Sequence, residues 1–316
     1  MLHVATLIGY RPQMILTERN LRQACEILDD PGPPQWLNPG IAAEIPFIPA
    51  KLEGLKVIED RLRAALDFVP LDIVVQKAEG RRKKLLLADM DKTMIEQECL
   101  DELAAEIGEL ASIAAITERA MRGDIPFEPA LRERVARLKG VDQPTIRHVL
   151  TDKITLTPGG PALIATMRAH GAHTVLVSGG FSIFTAAIAK RIGFHDYRAN
   201  ELMLDTEGRL SGQLVEPILG REGKRQALQH FREKLSLAVE ETLAVGDGAN
   251  DLGMLEAAGF GVAFHAKPRV ASATKARIDY GDLTALLYVQ GYRHTDFVEN
   301  FTHGSGDSLV KGAPVS

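Results

Sequence analysis

The sequence has few cysteines, few aromatic residues and no long apolar run. Its two cysteines, Cys25 and Cys99, stand alone, which excludes a disulfide framework and a paired-cysteine metal site. No apolar segment approaches the roughly 18 residues of a membrane-spanning helix. The N-terminus also lacks the basic, apolar and small-residue sections of a signal peptide. We therefore expect a cytoplasmic protein that does not associate with a membrane.

The chain also lacks a strong excess of charge of either sign. Its 42 acidic residues slightly outnumber its 37 basic residues, giving a net charge of −5 and a pI near 6.0. This balance gives no electrostatic reason to expect nucleic acid as a partner. With 316 residues, of which 45% are apolar, the chain is long enough for two domains that each have a core.

Residues 1–80 are predicted to form a small separate α/β domain. The predicted strands are His3–Ile8, Ile41–Ile48 and Leu71–Val75, and the predicted helices are Thr17–Leu28 and Leu55–Leu66. Pro46 suggests that the second of these strands lies at an edge of its sheet. Because this segment contains no acid pair, metal-ligand spacing or phosphate loop, we expect the chemistry to lie further along the chain.

Beyond residue 80 the pattern is typical of a parallel sheet covered by helices. The predicted strands are Leu85–Ala88, Thr174–Val177, Thr242–Val245 and Phe260–Phe264. A helical, charge-rich stretch at about 95–157 follows the first strand, where it is well placed to act as a lid. The four-residue spacing of Ile95, Cys99, Leu103 and Ile107 predicts that the first helix of this stretch already includes Ile95.

Polar residues follow three of these strands. They are Asp89 and Asp91, then Ser178 and Gly179, then Asp247, Asn250 and Asp251. Because the carboxyl ends of parallel strands meet at one edge, we expect these groups to converge, with Lys224 near them in the sequence. Carboxylates from two strands suit Mg²⁺ held beside a phosphate, while serine, backbone N–H and lysine groups suit anionic oxygens. A carboxylate can also act as the nucleophile, so the set is complementary to a phosphoryl group in transfer.

Each motif has a simpler interpretation when it is considered alone. Asp89 to Thr93 could be a helix-capping turn, and Ser178-Gly179 could be an ordinary turn. The segment Gly246–Asp251 could be a calcium-type loop, although it lacks the trailing glutamate of an EF-hand. Lys224 and Glu98 could simply be solvated side chains. The order of the motifs along the chain favours the catalytic interpretation.

Taken together, the motifs resemble those of the haloacid dehalogenase-superfamily phosphatases over about residues 85–290. The cap segments Ile95–Leu103, Met121–Glu128 and Leu131–Val135 are similar to those of the phosphoserine phosphatase family within it. The resemblance implies a Rossmann-like, doubly wound parallel sheet in residues 81–300, with a helical cap inserted after the first strand. It also implies a ferredoxin-like or ACT-like domain in residues 1–80, and we expect a disordered tail at 301–316.

The resemblance assigns a role to each candidate residue. Asp89 is the nucleophile, Asp91 carries the proton, and Mg²⁺ is held by Asp89, the Asp91 backbone carbonyl and Asp247. The phosphoryl oxygens are bound by Ser178, Gly179, Lys224 and Asn250, with Thr93 and Asp251 in support. In the cap, Glu98 meets the substrate ammonium and Arg134 its carboxylate, while Met121 and Phe127 close over the site. Lys92 departs from the family, which usually has Ser or Gly there.

The expected activity is Mg²⁺-dependent hydrolysis of O-phospho-L-serine, the last step of serine biosynthesis, with this small molecule as the partner. Two alternatives stay open. One is action on another small phosphorylated amino acid or amine, and the other is an amino-acid-binding regulatory role of the N-terminal domain. A homodimer is one assembly that we consider.

Overall fold

The computed structural model describes residues 1–10, 13–50, 54–122 and 124–298, without the side chain of Met121. The segment 301–316, for which we expect disorder, lies outside the described residues. Among the helices of the described ranges, none combines the length and the apolar character that crossing a membrane requires.

The N-terminal part forms a four-stranded antiparallel sheet with two helices packed on one face. Its elements are β1 (His3–Gly9), α1 (Glu18–Ile27), β2 (Gln35–Asn38), β3 (Ala42–Phe47), α2 (Leu55–Ala65) and β4 (Leu71–Lys77). The strand order β2-β3-β1-β4 follows from a β-α-β-β-α-β chain, which is the arrangement of ferredoxin-like folds. Helix α1 begins after Thr17, where Thr17 and Asn20 form a reciprocal capping box.

Pro46 lies in an interior strand, so the prediction of an edge strand is wrong. Strand β3 lies between β2 and β1, and Pro46 is opposite Val4 of β1. The paired part of β3 next to β2 ends at Glu44, and on that side the Pro46 carbonyl accepts a hydrogen bond of 2.7 Å from Gly32. Because no strand continues there, the missing N–H of proline leaves no ladder hydrogen bond unmade.

The second part is a six-stranded parallel sheet, which confirms the predicted α/β class. Its strands are β5 (Leu85–Ala88), β6 (His173–Phe181), β7 (Asp196–Asn200), β10 (Thr242–Gly246), β11 (Phe260–Phe264) and β12 (Ala276–Ile278), and a hairpin is formed by β8 (Leu202–Leu204) and β9 (Leu210–Leu214). The order is β12-β11-β10-β5-β6-β7. Strands β7 and β12 were not predicted, because the first is a polar edge strand and the second has three residues.

Helices surround this sheet and build the cap. The cap contains α3 (Cys99–Glu106), α4 (Leu110–Arg122), α5 (Phe127–Arg137), α6 (Gln143–His148) and a π-helical turn at Val149–Lys153. The remaining helices are α7 (Gly160–Ala169), α8 (Ser182–Ile192), α9 (Arg221–Lys234), α10 (Leu252–Ala257), α11 (Pro268–Ala273) and α12 (Ala285–Val289), with 3₁₀ turns at Val239–Glu241 and His294–Asp296. The inserted helices follow β5, as the sequence predicts.

Helix α3 begins at Cys99 rather than including Ile95. The preceding residues form a tight linker in which the N–H groups of Met94 and Ile95 both donate to the Met90 carbonyl. Ile95 is fully buried and makes a β-bridge with Leu156, the returning linker of the cap. Its place in the four-residue spacing therefore reflects burial in the linker and not a helical face.

Strand β5 lies at the centre of the sheet, between β10 and β6. Ala88 is in register with Val245 of β10 and Leu176 of β6. The residues that follow these three strands therefore leave the sheet at the same edge, which brings the predicted site together.

The two sheets are docked through buried polar contacts. Asp72 of β4 is fully buried and accepts hydrogen bonds from the backbone N–H groups of Asp279, Tyr280 and Gly281 at 2.6–3.3 Å. Burial raises the pKa of Asp72 to about 6, although these N–H groups act in the opposite direction. Asn38 also donates to the Tyr288 hydroxyl at 2.8 Å. The sheet face opposite α1 and α2 is thus occupied by the C-terminal part of the chain.

A buried carboxyl in α2 gives a testable link between pH and stability. Glu59 accepts a hydrogen bond of 2.9 Å from the Val75 N–H, and burial raises its pKa from 4.5 to about 7. The stabilisation by the neutral acid is therefore complete below pH 4.5 and is lost as the pH rises through 7. Glu59→Gln, which cannot ionise, should gain about 2 kcal/mol of unfolding free energy relative to the wild type between pH 5 and pH 8.

Urea denaturation of both proteins at the two pH values measures this difference. The exposed Glu26→Gln in α1 serves as the control and should track the wild type at both pH values. A constant difference between Glu59→Gln and the wild type would contradict the assignment.

Candidate active site

Asp89 follows β5 directly and lies buried against Lys224. Its backbone N–H donates to the Val245 carbonyl at 3.0 Å, which fixes it at the end of the sheet. The Lys224 ammonium donates to Asp89 Oδ1 and, at 2.6 Å, to Asp251 Oδ1. The Lys224 and Asp251 side chains have no exposed surface, so the first turn of α9 inserts one cation between two carboxylates.

The site has an excess of buried negative charge. Burial and then repulsion from Asp251 raise the pKa of Asp89 well above its ordinary value, while Lys224 opposes the shift. Burial and Asp251 likewise raise the pKa of Asp247 to about 6. Burial by itself would lower the pKa of Lys224, but Asp251 and Asp89 raise it above its ordinary value. One lysine therefore does not neutralise this centre.

Three of these carboxylates are arranged as metal ligands would be. Asp89, Asp247 and Asp251 can each offer one oxygen, and these oxygens all lie within 4.8 Å of one another. The Thr93 hydroxyl donates to Asp247 Oδ1 at 3.2 Å, and the Gly248 N–H donates to Asp251 Oδ2 at 2.9 Å. Hard oxygen donors with uncompensated negative charge fit a divalent cation. The backbone carbonyl of Asp91, which was predicted as a ligand, stays a prediction.

Asp91 lies beside this centre and is held at both carboxylate oxygens. Cys99 donates its backbone N–H to Oδ1 at 3.0 Å, and the Ser178 hydroxyl donates to Oδ2 at 3.3 Å. Burial raises the pKa of Asp91, and the hydrogen bonds from Cys99 and Ser178 act against that shift. Gly180 donates its N–H to Ser178 Oγ at 2.8 Å, and a Cβ on Gly180 would lie 3.0 Å from both Asp91 Oδ2 and Ser178 Oγ.

Gly179 and Asn250 lie close together in the site. A Cβ on Gly179 would lie 3.6 Å from the Asn250 side-chain nitrogen and 3.9 Å from the Phe127 ring, so the three groups surround one point. The Gly179 carbonyl accepts a hydrogen bond of 2.9 Å from Asn200, whose side-chain oxygen accepts the Leu219 N–H at 2.6 Å. Asn200 therefore joins the loop after β6 to the segment before α9.

The cap places its predicted residues over this edge. Glu98 is the N-cap residue of α3 and its side chain is exposed; desolvation by the neighbouring protein, followed by repulsion from Asp91 and Asp247, raises its pKa above the ordinary value. Arg134 in α5 is half-buried. Burial lowers the pKa of its guanidinium, and the nearby Asp101 and Glu98 act in the opposite direction. Phe127 begins α5, and a Cβ on Gly220 would lie 3.2 Å from its ring. The Met121 side chain lies outside the described residues, so its role stays a prediction.

Lys92 hydrogen-bonds within the cap linker, near Glu98 and Asp101. Its φ of 58° places it in a left-handed turn, and its exposed ammonium donates to the Glu96 carbonyl at 2.7 Å. The departure from Ser or Gly therefore adds a charge to the cap linker, where it closes a local hydrogen bond.

The sequence matches a family of known proteins. Residues 86–256, more than half of the chain, match the haloacid dehalogenase-like hydrolase family. The chain belongs to this family.

The similarity to individual relatives covers more of the chain than residues 86–256. The chain is 36% identical to a phosphoserine phosphatase of Streptomyces coelicolor over 80% of its own length and 61% of that protein. It is 41% identical to a phosphoserine phosphatase of a Polaromonas species over 65% and 88% of the two chains. A crystal structure of a haloacid dehalogenase-family hydrolase from Salmonella enterica serovar Typhi superposes with a TM-score of 0.81 at 27% identity, covering 91% of this chain and 98% of that one.

Three residues that touch this hydrolase site were not predicted from the sequence. They are Cys99, Gly180 and Asn200. The first two contribute backbone N–H groups, which have no side-chain signature in a sequence. Asn200 ends the unpredicted strand β7, and its buried amide makes three hydrogen bonds. A polar residue at the end of a strand was the available signal, but recognising it required predicting β7.

Proposed function

We propose that this protein is a Mg²⁺-dependent phosphatase that hydrolyses O-phospho-L-serine to L-serine and inorganic phosphate. The observation that carries the proposal is Asp89, a buried carboxylate paired with Lys224, next to a second carboxylate, Asp91, with separate hydrogen-bond donors. The names of the curated relatives support phosphoserine as the substrate. The cap supplies a carboxyl group at Glu98 and a guanidinium group at Arg134, which are the groups that the ammonium and the carboxylate of a zwitterion would meet.

The chemistry divides between Asp89 and Asp91. The Asp89 carboxylate attacks phosphorus, the bond from phosphorus to the serine oxygen breaks, and Asp91 gives its proton to that oxygen. Water then attacks phosphorus in the phosphoaspartate and gives a proton to Asp91. This step breaks the bond to the Asp89 oxygen, releases phosphate and restores both carboxyl groups. Bound Mg²⁺, held by carboxylates that include Asp89 and Asp247, would neutralise negative charge on the phosphoryl oxygens.

Charge neutralisation and orientation fall to the groups around this pair. The buried Lys224 ammonium, the Ser178 hydroxyl and the Asn250 amide offer donors to the phosphoryl oxygens. Phe127 lies against Gly220 and beside Gly179, where its ring covers the same point and excludes water. Arg134 can bind a carboxylate through two parallel hydrogen bonds, which orients the amino-acid part of the substrate.

A phosphate-release screen tests the substrate. The wild type should prefer O-phospho-L-serine to phosphoethanolamine, which lacks the carboxylate, among a set that includes phosphothreonine and phosphohomoserine. Arg134→Ala should lose about 100-fold in kcat/KM on phosphoserine, because charged hydrogen bonds to the carboxylate disappear, and should lose little on phosphoethanolamine.

Arg132→Ala is the matched control, since Arg132 is exposed two residues away and pairs with Glu216. It should keep the wild-type preference. If wild type and Arg134→Ala turned over the two substrates in the same ratio, the alternative of another phosphorylated amine or amino acid would replace phosphoserine.

Metal binding should be visible in thermal stability. At Mg²⁺ concentrations of about 100 times Kd, binding adds about 2.7 kcal/mol, which corresponds to a rise in Tm of several degrees over EDTA-treated protein. Asp247→Asn should remove most of that rise, while Glu256→Gln, an exposed acid paired with Arg221, should keep it. An unchanged Mg²⁺ response in Asp247→Asn would remove Asp247 from the ligand set.

The regulatory role of residues 1–80 and the homodimer stay predictions. Titration of the full chain with L-serine, compared with the Arg134→Ala variant, which should weaken binding of the amino-acid part in the catalytic site, would test for a regulatory site. A heat of binding that is unchanged in Arg134→Ala would support it.

A further inference from the structure

The proton-carrying carboxylate is held jointly by the cap and the core. Cys99, the first residue of cap helix α3, donates its backbone N–H to Asp91 Oδ1 at 3.0 Å. Ser178, in core strand β6, donates to Oδ2 at 3.3 Å. The Cys99 thiol also forms a hydrogen bond with this carboxylate. Each oxygen of Asp91 is thus oriented by a different part of the molecule.

The position of Cys99 is set by the two linkers of the cap. Residues 92–98 form the outgoing linker, and Gln97 ties it to the returning linker at Thr155. The Gln97 side chain accepts the Thr155 N–H at 2.9 Å and donates to the Thr155 hydroxyl at 2.8 Å. The Glu96 N–H also donates to the Thr155 carbonyl at 3.1 Å. A displacement of the cap would therefore move the N–H of Cys99 relative to Asp91.

We propose that Cys99 is a positioning residue whose backbone N–H aims the Asp91 carboxyl at the departing oxygen, so that proton transfer depends on the place of helix α3. This inference rests on the proposed function, because it assigns Cys99 a task in that reaction. The thiol adds a side-chain hydrogen bond to the same carboxyl, and the N–H, fixed by the backbone at the start of α3, sets the direction of that carboxyl. With the N–H removed, helix α3 no longer fixes the direction of the Asp91 carboxyl, and its other donor, the Ser178 hydroxyl, is the group that we also propose to serve the phosphoryl oxygens.

The location of Cys99 allows this N–H to be deleted selectively. At the first position of a helix the backbone N–H has no partner within the helix, so the helix does not need it. Proline is favoured at this position, and the preceding Glu98 has φ −96° and ψ 111°, the extended region that proline requires before it. Cys99→Pro thus removes both the N–H and the thiol that hydrogen-bond Asp91, while Cys99→Ala removes the thiol and keeps the N–H, so the difference between the two variants isolates the N–H.

Steady-state kinetics on O-phospho-L-serine give the first readout. Cys99→Pro should lower kcat by about 10- to 100-fold and change KM by less than about threefold. This loss is a part of the roughly 100- to 10,000-fold that general acid–base catalysis contributes. Cys99→Ala, which loses the thiol but keeps the N–H, should lose clearly less kcat than Cys99→Pro. A wild-type kcat in Cys99→Pro would overturn the proposal, and so would an equal loss in Cys99→Ala.

The leaving group separates orientation of a proton donor from general damage. p-Nitrophenolate departs without a proton, so the pre-steady-state burst of p-nitrophenol from p-nitrophenyl phosphate should keep its wild-type rate in Cys99→Pro. The second half-reaction, in which Asp91 accepts the proton of water, should be slow. Equal loss of the burst and of phosphoserine turnover would mean that the substitution damaged the nucleophile, which would overturn the proposal.

A second variant keeps the test decisive if Cys99→Pro does not fold. Gln97→Ala loosens the linker and should show the same pattern at smaller size, with reduced kcat on phosphoserine and an intact burst. A wild-type pattern in Gln97→Ala would overturn the proposal. If the wild type did not hydrolyse phosphoserine, the proposed function would fail separately, and the same comparison would be made with the alkyl phosphate that it does turn over.

Discussion

Asp89→Asn is expected to lower kcat/KM on O-phospho-L-serine by about four orders of magnitude or more, as loss of a nucleophile does in other enzymes. The substitution keeps the shape of the side chain and removes the charge that attacks phosphorus. Lys224 keeps its second partner, Asp251, so the lysine remains paired in the variant. The loss should therefore come from the chemistry and not from collapse of the site.

Stability provides the control for this variant. Burial, followed by repulsion from the carboxylates of Asp251, Asp247 and Asp91, raises the pKa of Asp89. Removing one of these charges relieves repulsion, so the Tm of metal-free Asp89→Asn should be no lower than that of the wild type. Wild-type protein that is quenched in acid during turnover of phosphoserine with a labelled phosphoryl group should retain the label as the phosphoaspartate. The variant should retain none. Full activity of Asp89→Asn would end the assignment of the nucleophile.

Lys224→Met is expected to destabilise the metal-free protein by about 3–5 kcal/mol, the usual cost of leaving buried charges without their partner. The substitution fills a similar volume but leaves Asp89 and Asp251 facing each other with no cation between them. Urea denaturation in EDTA measures the loss. Phosphate release should fall as well, because the phosphoryl oxygens lose a positive charge.

The neighbouring Arg225→Met is the matched control for Lys224→Met. Arg225 is one residue along in α9, but it is exposed and pairs with Glu222 at the surface. Its removal should change stability little. Mg²⁺ should raise the Tm of Lys224→Met by more than it raises that of the wild type, because the ion would supply the missing charge. A wild-type unfolding free energy for Lys224→Met in EDTA would contradict the buried pairing.

The sequence allowed the main chemistry to be predicted because strand ends are readable. Apolar runs before Asp89, Ser178 and Asp247 mark buried parallel strands, and their carboxyl ends converge by geometry alone. Lys224 was harder to predict. It lies among charged residues in α9, and a pattern of that kind is typical of a solvated helix; only the fold shows that its first turn faces inward.

The start of the cap could not be predicted by periodicity. Ile95 and Cys99 are both buried and four residues apart, but one belongs to a linker and the other begins a helix. Sequence patterns report burial, whereas the hydrogen bond from Cys99 to Asp91 depends on where the helix begins. The residues that orient Asp91 therefore became visible only with the backbone.

The contact between the two sheets has a consequence for any shortened version of the protein. A truncation that removes β4 would take away Asp72 and leave the N–H groups of Asp279, Tyr280 and Gly281 without their acceptor. The same segment continues to Leu283, whose N–H donates to the Pro158 carbonyl at the returning linker of the cap. Hydrogen bonds thus connect strand β4, through residues 279–283, to the returning linker of the cap, and a catalytic fragment that begins at residue 81 would lack the Asp72 end of this connection.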